Sequence, residues 1–400
     1  MKHGFKIMDS DMHIMEPLDL WERYLDQRYQ DRAPKLLGAG GSRQPLVLLN
    51  GREMPGAMNS VRDLLHVRRN RKQAEWSLVK AIAFAEKQGF DSKSQLEAMN
   101  MEGLDVAVLY PSAPGLHVMC APDLDSDFAA AICRAYNDWL YEFCQADPAR
   151  LKGAALIPLQ DVYEAIKEAR RAKQELGFPA VFLRSAALPD QAWYIRYWEP
   201  FWAELEAMGM AVGFHESTGA GYYPHLDRFP PANRLMRHVL SHVTAQMVTM
   251  VDMLLGGVAE RFPKLHIGFL ECNCGWAPTM LGRMDRHAAM MAETDAPLLQ
   301  LAPSEYFRRQ CVIGAEGEER ELPMVVELIG DDNIVFSTDY PHSDSDFPHA
   351  VDEFLELPLS DESRRKILWD NCARFYQLED ESASRAAETP PEQIGAASGA

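Results

Sequence analysis

The chain has 400 residues, 47% of them hydrophobic, and is long enough to bury the core of one large domain or of two ordinary ones. Its 40 basic and 59 acidic residues give a formal net charge of −19, which repels nucleic acid and anionic membranes. The seven cysteines lack the spacing of a disulfide framework, and the sequence shows neither a signal-peptide core nor an apolar run of roughly 18 residues. We therefore expect a cytoplasmic protein that binds neither nucleic acid nor membranes.

Short apolar runs alternate with segments of helical periodicity along most of the chain. The apolar runs are continuous, as expected for strands covered on both faces, and this rhythm predicts an α/β fold with parallel strands. A doubly wound sheet fits the same rhythm, but no GxGxxG motif follows the first strand. The predicted strands are residues 5–9, 105–112, 151–159, 180–185, 210–217, 264–271 and 333–342. The predicted helices are residues 17–25, 92–104, 126–146, 161–176, 197–209 and 232–260.

Two stretches depart from this rhythm. Residues of about 30–90 include a segment rich in Gly, Pro, Arg and Asn with weak periodicity, which we interpret as an insertion over the body of the domain. Residues 378–400 lose apolar periodicity and gain Pro, Glu, Ser and Ala, which predicts a disordered tail. A single domain over residues 1–377 is therefore expected.

Acidic and histidine side chains follow the predicted strands at the points where the strands end. Asp11 and His13 lie just beyond the first strand, and their spacing of two places both side chains on one side of an extended segment. His215, Glu271 and Asp339 end three later strands. In a (β/α)8 barrel these ends converge on one face, and imidazole and carboxylate groups are ligands for Zn, Fe or Mn. The sequence thus predicts a metal centre at that face.

Five sequence blocks resemble a known family. They are DSDMHIMEPLDLWERYL at 9–25, HES at 215–217, LLGGVAERFPKLHIGFLECNCGWAPTMLGRMD at 254–285, FSTDYPH at 336–342 and KILWDNCARFY at 366–376. The chain resembles the amidohydrolase-related family, in the branch that includes aminocarboxymuconate-semialdehyde decarboxylase and resorcylate decarboxylase. The resemblance covers most of residues 5–377 and implies a (β/α)8 TIM-type barrel with one or two divalent metal ions.

By this resemblance, Asp11 and His13 match the family's pair on strand one, His215 its histidine on strand five, and Asp339 its aspartate on strand eight. The chain also departs from the decarboxylase pattern, because the first member of the strand-one pair is Asp11. The departure at Glu271 has more consequence, since a catalytic histidine usually follows that strand. A carboxylate there is more naturally a metal ligand or a base than a proton donor.

Further residues extend the predicted site. Glu16 follows His13 by three and His342 follows Asp339 by three, so both are candidate ligands that make a second ion plausible. His238 and His242 share one helix face, and we favour His242 as the one that reaches the site. Asp339, Glu271 and His242 are the candidate catalytic residues. Arg184, at a strand end, and His225, in a loop rich in Gly and Tyr, are candidate substrate contacts.

Three functions fit these residues. The first is hydrolysis or decarboxylation of a small carboxylate- or carbonyl-bearing substrate, in which the metal activates water or chelates the substrate. The second is hydroxylation of a small substrate by a dinuclear non-haem iron oxygenase, which Glu271, Glu16 and His342 favour. The third is a non-catalytic partner subunit of a homologous enzyme. We also expect a homo-oligomer or pairing with a homologous subunit.

Overall fold

The structure is a computed structural model. It describes residues 1–17, 19–37, 46–53, 81–112, 121, 124–185, 191–215, 228–229, 234–342 and 345–378.

Eight parallel strands form a nearly closed barrel, as predicted. Each strand pairs with the next along the chain. The first and last strands are joined by side chains, since Ser10 Oγ donates to Phe336 O at 2.8 Å and Ser337 Oγ donates to Asp11 O at 3.1 Å. The strands are β1 Met8–His13, β2 Val106–Tyr110, β3 Leu151–Leu156, β4 Ala180–Arg184, β5 Ala211–His215, β6 Ile267–Phe269, β7 Cys311–Glu316 and β8 Ile334–Ser337.

Helices follow the strands and surround the barrel. Several begin at an aspartate whose side chain accepts a backbone N–H of the first turn, as at Asp91, Asp125 and Asp161. The main helices are α1 Ser92–Glu102, α2 Ser126–Cys144, α3 Val162–Gln174, α4 Glu199–Met208, α5 Arg234–Leu254, α6 Ala277–Asp295, α7 Leu322–Ile329 and α8 Ala350–Glu356. Shorter helices are Leu20–Tyr24, Gln27–Arg32, Ala83–Lys87, Arg196–Trp198, Val258–Arg261, Pro303–Gln310, Asp361–Arg365, Lys366–Asp370 and Asn371–Tyr376. No helix of these described ranges is long and apolar enough to span a membrane.

Two strands differ from the sequence-based prediction. The first was predicted at residues 5–9, whereas β1 is Met8–His13 with all six residues buried. Asp9, Asp11 and His13 therefore belong to the strand itself. The sequence pattern did not predict a strand there because these residues are polar. β7 was not predicted, because Cys311–Glu316 offers only a short apolar run that periodicity does not distinguish from a buried helical turn.

The described part of the predicted insertion contains a small antiparallel sheet, formed by Lys35–Leu37, Leu46–Leu49 and Arg52–Glu53. Residues 38–45 and 54–80 of the insertion, and residues 379–400 of the predicted tail, lie outside the described residues. The disordered tail stays a prediction.

Gly213 in β5 makes room for an aromatic side chain inside the barrel. A Cβ at Gly213 would lie 2.1 Å from Tyr110 Oη, so a larger residue is excluded unless Tyr110 shifts. Tyr110 Oη bonds Tyr376 Oη at 2.9 Å, and Tyr376 in turn donates to Ser10 O at 2.7 Å. The Tyr110 ring also lies parallel to the His215 ring, with centroids 6.0 Å apart. The hydrogen-bonded pair Tyr110 and Tyr376 therefore packs beneath His215 at the end of β5.

Candidate metal centre

The predicted ligands meet at the carboxyl ends of the strands. Asp11 and His13 belong to β1, His215 is the last residue of β5, and Glu271 and Asp339 each follow a strand by two residues. Glu271 and Asp339 have left-handed backbones, with φ of 46° and 53°. Such a conformation costs a non-glycine residue of order 1–3 kcal/mol and concentrates at functional sites. The chain is thus bent sharply at two predicted ligands.

One group of potential ligands consists of Asp11, His13 and His215, which are buried and offer ligand atoms within 4.8 Å of one another. His13 Nε2 and His215 Nε2 are 2.9 Å apart. Asp11 reaches both, with Oδ1 at 3.5 Å from His13 Nε2 and Oδ2 at 3.6 Å from His215 Nε2.

A second group shares His13 and adds Glu271, Asp339 and His342, again within 4.8 Å. His342 Nδ1 is 2.7 Å from Asp339 Oδ1 and 3.7 Å from Glu271 Oε1, and Asp339 Oδ1 is 3.4 Å from His13 Nε2. Glu271 Oε2 lies 2.5 Å from His215 Nε2, which connects this group to the first.

The donor set fits a divalent cation. Two ligand atoms at about 2.1 Å from an ion and at right angles to each other lie about 3.0 Å apart, close to the separation of the two imidazole nitrogens. His13 Nδ1 lies 3.1 Å from Pro111 O, which can only accept a hydrogen bond, so that nitrogen carries the proton and Nε2 faces the site as a ligand. Neither oxygen of buried Asp11 accepts a hydrogen bond from a described residue. Buried carboxylate oxygens left in this state are suited to a positive ion.

The electrostatics of the cluster agree with that fit. Burial raises the pKa of Asp11 well above its usual value, and the nearby carboxylates of Glu271 and Asp339 raise it further. Burial would also raise the pKa of Glu271, but His215 and His242 outweigh it and hold that pKa well below the usual range. These carboxylates can therefore all be ionised at the same time only when positive charge lies close to them.

Asp9, which was not predicted as a site residue, lies beside the predicted ligand Asp11 on β1. Its buried carboxylate accepts hydrogen bonds from Asp11 N at 3.1 Å and from Thr338 Oγ1 at 2.5 Å, so it joins β1 to the chain that leads into Asp339. Burial raises the pKa of Asp9 to about 6. The available signal was its spacing of two from Asp11, which places both on the same side of a strand.

Glu16 lies beside the ligand groups but belongs to neither. Its Oε1 accepts from Ser112 N at 3.0 Å, and burial raises its pKa to about 8. Ser112 was also missed, although it ends the polar exit of β2, and its Oγ lies 3.4 Å from His342 Nε2. The assignment of Glu16 as a ligand stays a prediction.

Of the two helical histidines, His242 is brought to the centre. Its Nε2 lies 3.5 Å from Glu271 Oε1, and its Nδ1 is 3.1 Å from Ser241 Oγ. The His238 ring lies one turn away, 5.0 Å from the His242 ring. Arg184 ends β4, is 1% exposed and pairs in register with His215. His225 lies outside the described residues.

A family model described as an amidohydrolase matches residues 9–378. The chain belongs to the amidohydrolase family. Its relatives place it in the branch named from the sequence, so the predicted resemblance is confirmed. Gamma-resorcylate decarboxylase of Polaromonas sp. (strain JS666 / ATCC BAA-500) is 26% identical over 297 residues, which cover 71% of this chain and 86% of that relative.

Solved structures share the barrel. An amidohydrolase from Mycobacterium avium subsp. paratuberculosis K-10 aligns with a TM-score of 0.74 and 23% identity over 93% of this chain and 98% of that one. A dihydroxybenzoic acid decarboxylase from Polaromonas sp. JS666, solved with manganese and the inhibitor 2-nitroresorcinol, aligns with a TM-score of 0.63 and 19% identity over 94% and 97% of the two chains. These alignments confirm the TIM-type fold.

Proposed function

We propose that this amidohydrolase is a metal-dependent carboxy-lyase that removes carbon dioxide from a small carboxylate-bearing substrate. The observation that carries the proposal is the pair of ligand groups that share His13 at the carboxyl end of the barrel. The similarity to gamma-resorcylate decarboxylase of Polaromonas sp. favours a carboxylate substrate over a carbonyl substrate that would be hydrolysed. A subunit without catalysis would have no use for buried carboxylates gathered around two histidines.

Asp11, His13, His215 and Asp339 are the residues that would hold the ion, with Glu271 and His342 adjacent to them. Zn, Fe and Mn all suit this mixture of imidazole and carboxylate, and the manganese in the related decarboxylase structure favours Mn. When bound, the cation supplies a Lewis acid that draws electron density from a chelated substrate oxygen.

Arg184 is the proposed anchor for a substrate carboxylate or hydroxyl. It is buried at the end of β4 and lies opposite His215 in the strand register. A guanidinium in this position presents paired N–H donors in a plane, which matches the two oxygens of a carboxylate. Its charge would also offset part of the negative charge of the ligand cluster.

His242 is the proposed proton donor. Loss of carbon dioxide leaves the electron pair of the broken C–C bond on the substrate carbon, which must take up a proton. Family decarboxylases usually supply an imidazole after the sixth strand, where this chain has Glu271. Here α5 brings the imidazole of His242 to the same place, with Nε2 at 3.5 Å from Glu271 Oε1. Glu271 would orient that nitrogen and stabilise its protonated form.

The test is a decarboxylation assay with a panel of dihydroxybenzoic acids and the Mn²⁺-loaded protein. We expect loss of substrate with release of one carbon dioxide per turnover and no uptake of oxygen. His242→Asn should lower kcat by about 100-fold or more, because it removes the proton donor, while Mn²⁺ binding stays within a few-fold of wild type. Carbon dioxide release by His242→Asn at the wild-type rate would exclude this role.

A dinuclear oxygenase is the second candidate, favoured by Glu271 and His342, which give the cluster more ligands than one ion requires. Metal analysis of the protein as isolated, together with an oxygen-uptake assay of its iron-loaded form, separates the two candidates. Two tightly bound irons per chain, with oxygen uptake that depends on substrate, would support hydroxylation and exclude simple decarboxylation.

A further inference from the structure

Gln246 joins two neighbouring strands beneath the ligand cluster. It is fully buried on α5, and its Nε2 lies 2.7 Å from Phe214 O and 2.9 Å from Leu270 O. Both of these oxygens can only accept a hydrogen bond, so the group that faces them is the NH2 of the amide, with one proton for each carbonyl.

The two carbonyls belong to the residues immediately before two predicted ligands. Phe214 precedes His215, and Leu270 precedes Glu271. Leu270 N also donates to Phe214 O at 3.0 Å, after which the chain turns into the left-handed conformation at Glu271. Gln246 therefore holds together the two strand ends that directly precede His215 and Glu271. The side chains of these two residues lie 2.5 Å apart, from Nε2 to Oε2.

We propose that Gln246 is a positioning residue of the metal centre. Its amide fixes the separation of His215 and Glu271 and so keeps the two ligand groups in contact with each other. This inference rests on the proposed metal-dependent function. Side chains that orient metal ligands typically change metal affinity by about 10- to 100-fold when they are removed.

Asn137 is a buried amide that we compare with Gln246, because we expect it to contribute to stability but not to metal binding. Asn137 on α2 is equally buried and holds the end of β3, a strand that carries no predicted ligand. Both ends of its amide are used, since Nδ2 donates to Leu156 O at 2.9 Å and Oδ1 accepts from Leu156 N at 2.8 Å. By contrast, Oε1 of Gln246 accepts no hydrogen bond from a described residue. An unpaired buried acceptor costs about 1–3 kcal/mol, which a purely structural clamp would avoid.

The same helix reaches Glu271 from a second direction. His242 lies one turn before Gln246, and its Nε2 is 3.5 Å from Glu271 Oε1. α5 thus contacts the side chain of Glu271 through His242 and the carbonyl that precedes it through Gln246. A shift of this helix would change the position of Glu271 relative to His215.

The test compares Mn²⁺ binding by the full chain, Gln246→Met and the control Asn137→Leu, after chelation and re-titration, with free Mn²⁺ read by electron paramagnetic resonance. We expect Gln246→Met to raise the Kd by about 10- to 100-fold. Asn137→Leu should lower the Tm at least as much, yet keep the Kd within two-fold of wild type. Gln246→Asn, too short to reach both carbonyls, should behave like Gln246→Met and carries the test if Gln246→Met does not fold.

Unchanged Mn²⁺ affinity in the folded Gln246 variant would overturn the inference, as would an equal loss of affinity in Asn137→Leu. A wild-type chain that binds no Mn²⁺, Zn²⁺ or Fe²⁺ would instead overturn the proposed function, on which the inference rests. The two failures are thus distinguishable.

Discussion

His13 is the residue on which both ligand groups depend. Its Nε2 lies 2.9 Å from His215 Nε2 and 3.4 Å from Asp339 Oδ1, while Nδ1 bonds the carbonyl of Pro111. Its pKa is well below the usual value, since burial disfavours the charged ring and His342 and His215 add to that effect. A neutral imidazole held in one tautomer is the form that binds metal.

Replacement of His13 by Gln should therefore weaken metal binding more than replacement of any single residue that belongs to one group. We expect metal content after dialysis to fall by about 100-fold or more, measured by mass spectrometry of the metal, because a ligand of both groups is lost. His266→Gln is a matched control, since His266 lies at the opposite end of β6 and bonds Phe375 O at 2.7 Å. Equal metal content in the two variants would show that His13 is not a ligand.

Glu102, the last residue of α1, makes the stability of the protein depend on pH. Burial raises the pKa of Glu102 to about 7, although Val351 N donates to its Oε1 at 2.7 Å. The folded chain then keeps this proton up to about pH 7, whereas the unfolded chain releases it near pH 4.5. Stability from this group is thus present at low pH and is lost as the pH rises from about 4.5 to 7.

Glu102→Gln keeps the acceptor and removes the titration. Relative to wild type, its free energy of unfolding in urea should rise between pH 5 and pH 8, by about 3 kcal/mol at most. Glu97→Gln, on the exposed face of the same helix, is the matched control. A constant difference between Glu102→Gln and wild type across this range would contradict the assignment.

At the scale of elements, β5 positions His215 only because Gly213 leaves space for Tyr110. Gly213→Ala places a methyl group 2.1 Å from Tyr110 Oη and should destabilise the fold by about 1–3 kcal/mol. Tyr110→Phe removes that oxygen and should recover part of the loss, so the two changes should not be additive. Gly282→Ala on α6, which meets no atom within 4 Å, should instead stabilise by about 0.5–1 kcal/mol. Thermal and urea unfolding of wild type, the three single variants and the Gly213→Ala/Tyr110→Phe double variant measures both signs.

The elements also show how far a sequence can specify a site. His215, Glu271 and Asp339 could be placed together from the sequence, because parallel strands in a barrel present their carboxyl ends on one face. Gln246 and Ser112 could not be assigned, since their roles depend on how a helix or loop is turned toward the barrel. That rotation is decided by packing between elements, which local periodicity does not encode. β7 was missed for a related reason, as its identity as a strand comes from pairing with β6 and β8.

At the scale of the whole molecule, the barrel concentrates carboxylates at one mouth of a chain whose formal net charge is already −19. Such a site would repel an anionic substrate unless positive charge offset its own, and Arg184 and a bound metal would supply that charge. The predicted homo-oligomer and cytoplasmic location stay predictions.

The most direct test of the metal centre is a crystal of the Mn²⁺-loaded chain, with anomalous scattering collected on both sides of the manganese absorption edge. We expect an anomalous peak bound by Nε2 of His13 and of His215, with Asp11 and Asp339 as further ligands. A second peak near Glu271 and His342 would mark a dinuclear centre. A metal-loaded crystal with no anomalous peak between His13 and His215 would contradict the central claim.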